Sequence, residues 1–406
     1  MKRAAEGVAG ASLALLIIAV ACSGDPDDGE TDSESTTGNA TTAGPDTSSS
    51  AGDGDGDGDG DGDGDGDGDG DGDGDGDGDN PYDGRPPLGT VVNTCPATAG
   101  VEGEIIAELA GDGANFYAQR AEFDRLAEDP EYLALIQWAI PWMDSLGYQV
   151  MLTIPTVDTV LRTMPADVKD LPLDSPETIA RFELLLEELL TPEVIAAVDW
   201  ISVGNEVDLY FGAHPEDVAP FTSFAQAAYA KLDELGVTAP RCVTFTQSGV
   251  ESDTAGAASA LLPDCDFLPV AHYPMGAGFQ FLTPEEGAAE LASFIADAPL
   301  PLLYQELGYS SAPANGGSLE AQADFFASAF TTMFDAALAV NVNWYCEQPQ
   351  AECEALAQNL YELTPDDPDY EAFIGFLCSL GMIEGDGAPK PAWEVFATAL
   401  AAEPGA

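Results

Sequence analysis

The chain has 406 residues, with 73 Asp plus Glu against 11 Lys plus Arg and a formal net charge of −62. So acidic a chain repels phosphate and carboxylate polymers, which argues against nucleic acid and polyanionic glycans as partners. Only two histidines are present and no CxxC pair occurs among the seven cysteines, so neither a structural zinc site nor any other cofactor is expected.

Residues 1–22 carry Lys2 and Arg3, then an apolar run from Ala11 to Ala21, the layout of a bacterial secretory signal. The run is shorter than the ~20 residues of a membrane span. Its end, IAVAC, resembles a lipoprotein signal, which would make Cys22 the lipidated first residue of a chain held at the outer membrane or cell surface. A cleaved signal on a secreted chain is the alternative. Residues 23–80 are poor in apolar side chains and close in Asp-Gly alternation from Asp53 to Asp79. Such a stretch cannot repay the entropy of ordering and is expected to be a disordered acidic stalk, with a reach of ~40–45 Å for about 60 residues of Gly-rich coil. The repeat has Gly where an EF-hand loop needs its twelfth-position Glu, so no formed calcium site is expected.

Residues 81–406 hold 51 of the 73 acidic side chains and nine of the 11 basic ones, a net charge near −42. Strand-like apolar runs occur at 89–95, 114–121, 148–155, 198–206, 241–247, 265–273, 300–306 and 341–346. Helical patterns separate them, several opening on Ser or Thr followed by Pro-Glu, and the last is PAWEVFATALA. Eight strands each leading to a helix is the count of an α/β (β/α)₈ TIM barrel. A doubly wound sheet is the rival, but no Gly-rich phosphate turn follows the first strand. Active sites of such barrels form at the carboxyl ends of the strands, where Glu206 closes strand four in ISVGNEV and Glu306 closes strand seven in LLYQELGYSS. Glu206 shares strand parity with the small Ser202 and Gly204, as an inward residue should, whereas Glu306 shares it with bulky Tyr304. Asp158 and Asp208, just past strands three and four, are placed to bind a sugar hydroxyl or to be solvated. Trp138 and Trp142, at i and i+4 on one helix, read as core, and His272 as a hydrogen-bonded barrel residue.

Asn-Glu at the end of strand four with a second Glu at the end of strand seven resembles clan A of the retaining glycoside hydrolases. ISVGNEV and QELGYSSA look most like family 17, the β-1,3-glucanases, with the β-1,4-galactanases of family 53 as a second likeness. Tyr309 and Ser310 depart from family 17, which has Trp and Pro at these places. The resemblance implies that Glu206 is the general acid/base and Glu306 the nucleophile, ~5–5.5 Å apart. It further implies that Asn205 bonds the sugar 2-hydroxyl, Arg120 keeps the nucleophile ionised, Tyr273 hydrogen-bonds it and Trp344 floors the sugar subsite. The expected protein is a monomeric, surface-anchored retaining β-glycosidase that hydrolyses or transglycosylates a neutral polysaccharide. A non-catalytic carbohydrate-binding barrel is the alternative.

Six cysteines follow Cys22. Cys242 and Cys265 open strands five and six, and Cys95 and Cys346 end strands one and eight, which become neighbours when a barrel closes. Pairing them so leaves Cys353 with Cys378, one of the fifteen connectivities that six cysteines allow.

Overall fold

A computed structural model describes residues 80–361 and 363–405. The signal segment, the lipidation of Cys22 and the stalk up to residue 79 lie outside the described residues.

The eight strands are β1 (Leu88–Thr90), β2 (Phe116–Arg120), β3 (Gln149–Thr153), β4 (Trp200–Ser202), β5, β6 (Leu268–His272), β7 (Leu302–Leu307) and β8 (Ala337–Val342). Strand β5 is split into Arg241–Cys242 and Phe245–Thr246. Its first half pairs with β4 and its second half with β6, so this one strand joins the two arcs of the sheet. At the other seam β8 pairs with β1, and the Asn115 amide reaches Leu88 O at 3.0 Å, bringing β2 alongside β1. Gly89 makes that seam possible, because a Cβ there would lie 1.8 Å from Phe116 O. Every pairing around the ring is parallel. The result is the (β/α)₈ barrel that the strand count predicts.

The outer helices start where short polar side chains cap them. Asp129 accepts from the Glu131 and Tyr132 amides, Ser175 from Thr178, Ser318 from Ala321, and Thr283 forms a reciprocal capping box with Glu286. The expected disulfides are all formed: Cys95–Cys346, Cys242–Cys265 and Cys353–Cys378, with Cα atoms 6.5, 4.6 and 6.0 Å apart.

Two sequence readings need correction. Strand eight runs over Ala337–Val342, four residues before the predicted start, and the preceding helix stops at Met333. The link Phe334-Asp335-Ala336 between that helix and the strand holds no Gly or Pro and only one polar residue, so little in the pattern marks the change of period. Trp138 is not core. It is 48 % exposed and stacks on Trp142 with ring centroids 5.4 Å apart, while Tyr132, Ile136, Ala139, Ile140 and Met143 form the helix's buried side. Spacing put the two tryptophans on one stripe but could not say which way that stripe faced.

After β8 the chain leaves the barrel over residues 347–390. This excursion contains the helices Gln350–Leu360 and Tyr370–Cys378 before the closing helix Pro391–Leu400 begins.

Candidate active site

Strand β4 is short because Asn205 and Glu206 turn away from it. Beyond β3 a small hairpin pairs Val157–Asp158 with Leu161–Arg162, and the Asn205 amide donates to Val157 O while the Thr159 amide donates to Asn205 O, both at 2.9 Å. Thr159 at φ +53° and Glu206 at φ +44° are both left-handed. That conformation costs a residue with a Cβ about 1–2 kcal/mol, and such strain collects at functional sites. Here it turns the Glu206 carboxylate towards the barrel mouth, where the Thr159 hydroxyl donates to it at 3.1 Å.

Glu306 reaches the same mouth through a bulge. Tyr304 pairs with Val270 but Glu306 with Ala271, so the register slips at Gln305. A bulge re-aims side chains, and this one removes the parity conflict between Glu306 and Tyr304. It also puts Gln305 inside the barrel, where its amide nitrogen donates to Asn205 at 2.7 Å and its oxygen accepts from the Thr153 and Thr244 hydroxyls at 3.0 and 2.6 Å.

Glu206 and Glu306 line one cavity of about 480 Å³, together with Asn205, Arg120, Tyr273, Trp344 and Asp158. All seven residues expected at the site are therefore brought together. Their partners differ in part from expectation. The Tyr273 hydroxyl donates to Glu306 Oε2 at 2.6 Å and accepts from Asn343 at 3.1 Å. Arg120 makes its direct contacts to Asp158 and to Glu122, the latter at 3.2 Å, and acts on Glu306 through its charge. Asp158 is spent inside the protein, where it accepts from Arg120, from Asn205 at 3.1 Å and from the Thr159 hydroxyl at 3.2 Å. Its expected sugar contact gives way to a bracketing role. Asn205 has one amide hydrogen left over after its bond to Asp158, enough for one sugar hydroxyl. Asp208 accepts from the Thr246 amide and hydroxyl, both at 2.7 Å, and does not line the cavity.

The two carboxyls have different surroundings. Burial, then the negative charges of Glu306, Asp208 and Asp158, push Glu206 well above the usual carboxylate range, and only the Thr159 hydroxyl pulls against them. Burial also raises Glu306, but the Tyr273 hydroxyl and the Arg120 charge oppose that rise. Glu206 thus holds its proton more firmly, the asymmetry that separates an acid from a nucleophile. Burial takes His272 the other way, down to about 3, so its ring is neutral, and its Nε2 has no partner, contrary to the hydrogen-bonded histidine expected.

Sequence reasoning missed Gln305, Thr159, Asn343, Gln247 and Tyr361. Gln247, buried at the end of β5, lines the cavity with neither amide atom partnered. The Gln-Glu pair in YQEL was the one available signal. The others come from loops whose approach only the fold decides. Among the described residues no group of three or more His, Cys, Asp or Glu is set to hold a metal ion.

No family model matches the chain, and no curated protein matches it. Solved structures do. A GH5_18 protein of Bifidobacterium longum subsp. longum ATCC 55813 superposes with TM-score 0.59 at 14% identity, over 79% of this chain and 81% of that one. A second structure of a GH5_18 protein from the same strain, in complex with Manβ1-4GlcNAc, gives TM-score 0.58. The Ignisphaera aggregans GH53 catalytic domain gives TM-score 0.54 at 13% identity, over 80% of this chain and 97% of that one. Identities so low establish the shared barrel fold. Family 53, the second likeness in sequence, is among these structures; family 17 as the nearest likeness is not supported by them.

Proposed function

We propose that this protein is a retaining β-glycosidase acting on a neutral saccharide, with Glu306 as nucleophile and Glu206 as general acid/base. The observation that carries the reading is the pair itself: two partly buried carboxyls in one cavity, Glu206 raised by burial and by three negative neighbours, and Glu306 raised by burial but opposed by Tyr273 and Arg120. In the first step a Glu306 oxygen bonds to the anomeric carbon as the glycosidic C–O bond breaks, and the Glu206 proton goes to the leaving oxygen. In the second, water gives its proton to Glu206 and its oxygen to the anomeric carbon, which frees Glu306. An acceptor sugar hydroxyl in place of water gives transglycosylation.

Neutrality of the substrate follows from the cavity wall. Arg120 is its one Lys or Arg among the described residues and is already paired, against five carboxyl groups, those of Glu122, Asp158, Glu206, Glu290 and Glu306. Trp344 and Tyr361 add aromatic faces suited to the C–H face of a sugar ring. The proposal extends to location: Cys22 carries a lipid at the bacterial surface and residues 23–80 space the barrel from it.

The test is a screen on neutral mannans, galactans and β-glucans with two variants. Glu306→Gln is expected to lose hydrolysis by more than ~10³-fold, and Glu206→Ala to lose most cleavage of these polymers while still turning over aryl glycosides with good leaving groups, at a rate azide raises because it attacks the glycosyl-enzyme without a general base. Near-normal hydrolysis by either variant would overturn the assignment.

A further inference from the structure

The excursion after β8 is built as a rigid wall. The Cys353–Cys378 disulfide clamps its two helices together. Its return is docked against the segment after β7: the hydroxyls of Ser310 and Ser379 are 2.6 Å apart, the Ala312 amide donates to Ser379 Oγ at 3.1 Å, and Gln322 Nε2 donates to Leu380 O at 3.0 Å. Asn315 Nδ2 donates to Ala372 O at 2.8 Å, and at the neck buried Lys390 pairs with Glu347 at 2.6 Å.

That wall reaches the reacting centre from both sides. Leu356, Tyr361, Phe373, Phe376, Leu377 and Leu380 all line the cavity. The Phe376 ring meets Tyr273, the hydroxyl partner of Glu306, edge-on with centroids 5.2 Å apart. Tyr361 packs on Phe373 at 4.6 Å, and burial, with the charges of Glu206, Asp158 and Glu306 nearby, holds its phenol protonated. Five of the six side chains cannot hydrogen-bond. A polysaccharide threaded across them would bury hydroxyls without partners, which is unfavourable, whereas the C–H face of one terminal ring packs on them well. The cavity, about 480 Å³, lies in the lower half of the ~300–1,000 Å³ range of pockets that enclose a small ligand.

We infer that the site is a blind pocket for the end of a neutral sugar chain, so that cleavage releases one or two units from a terminus and does not cut within a polymer. The inference rests on the glycosidase reading above and adds the form of substrate to it. Each release consumes one water by the two steps already given.

The full-length protein is incubated with end-labelled β-1,4-manno-, β-1,4-galacto- and β-1,3- and β-1,4-gluco-oligosaccharides of two to six units. In parallel, binding of the same sugars to Glu306→Gln is followed by tryptophan fluorescence, Trp344 being in the cavity. The inference expects single or double units as the first products and affinities that change less than about three-fold from the disaccharide to the hexasaccharide. Internal fragments in the first turnovers, or affinity rising more than ten-fold with length, would overturn the blind pocket and leave the glycosidase reading standing. Length-independent binding with no hydrolysis by the wild type would support the pocket and overturn the enzyme. Neither binding nor hydrolysis would overturn both.

Discussion

At the scale of single residues the informative feature is how Glu206 is surrounded. It is partly buried in the cavity, faces three other carboxylates and has the Thr159 hydroxyl in its favour. Its proton is therefore bound more tightly in the folded chain than in the unfolded one. Such a group contributes its full stabilisation below its unfolded pKa, and that contribution is lost as pH rises through the higher folded value. Glu206→Gln keeps the shape and removes the ionisation. The variant is expected to melt above the wild type at pH 8, with the two converging near pH 4. Each pKa unit of upshift is worth about 1.4 kcal/mol, and each kcal/mol on the order of 2–4 °C. Thermal denaturation followed at the two pH values checks this, and a gap that widens towards acid would refute it.

At the scale of elements, Tyr309 and Ser310, the two departures from the family 17 motif, acquire a physical reason. The Tyr309 ring is buried against Phe325, centroids 5.0 Å apart, and its hydroxyl donates to Leu282 O at 2.7 Å. Ser310 is fully buried and its hydroxyl meets Ser379 and Asn315, at 2.6 and 3.2 Å. A proline at 310 would offer no hydroxyl, so this position is fitted to the excursion that packs on it. Ser310→Ala takes the hydroxyl donor from the buried Asn315 Oδ1, while Ser379 keeps Gly375 O and the Ala312 amide, and is expected to cost about 1–3 kcal/mol. The loss should show as a lower melting point together with earlier proteolytic cutting within residues 347–390 than elsewhere. An unchanged protease pattern would mean that the contact does not hold the excursion.

At the scale of the whole molecule the charge decides which sugars approach. A barrel region near −42, whose cavity sets five carboxyl groups against one paired arginine, is expected to repel uronates over the ~10 Å Debye length at 0.1 M salt. Cleavage of neutral oligosaccharides is expected to vary less than about two-fold between 20 and 500 mM salt. Any action on pectate-type substrates should be weak and should rise with salt. Initial rates over that salt series test this, and a preference for uronates at low salt would refute neutral specificity.

Much of this was legible in sequence. The strand count, the placing of Asn205-Glu206 and Glu306 at strand ends, and the disulfide pairing all follow from periodicity and from the fact that strands one and eight become neighbours on closure. Arg120, Tyr273 and Trp344 were placed at the same mouth by the resemblance to clan A, not by the pattern itself. What sequence could not supply was direction. Trp138 faces outward, and the i, i+4 spacing of the two tryptophans could not say so. Strand eight starts early, and the largely apolar stretch before it carries no Gly or Pro to mark where helix gives way to strand. Glu306 points into the cavity through a register slip at Gln305, which depends on how β7 pairs with β6. The pairing of Arg120 with Asp158, and the closure of the pocket by residues 347–390, join segments tens to hundreds of residues apart. Local pattern fixes which residues can do chemistry; their partners and the shape of the space between them are set by tertiary contacts, because hydrogen bonds and burial act through distance in space and not along the chain.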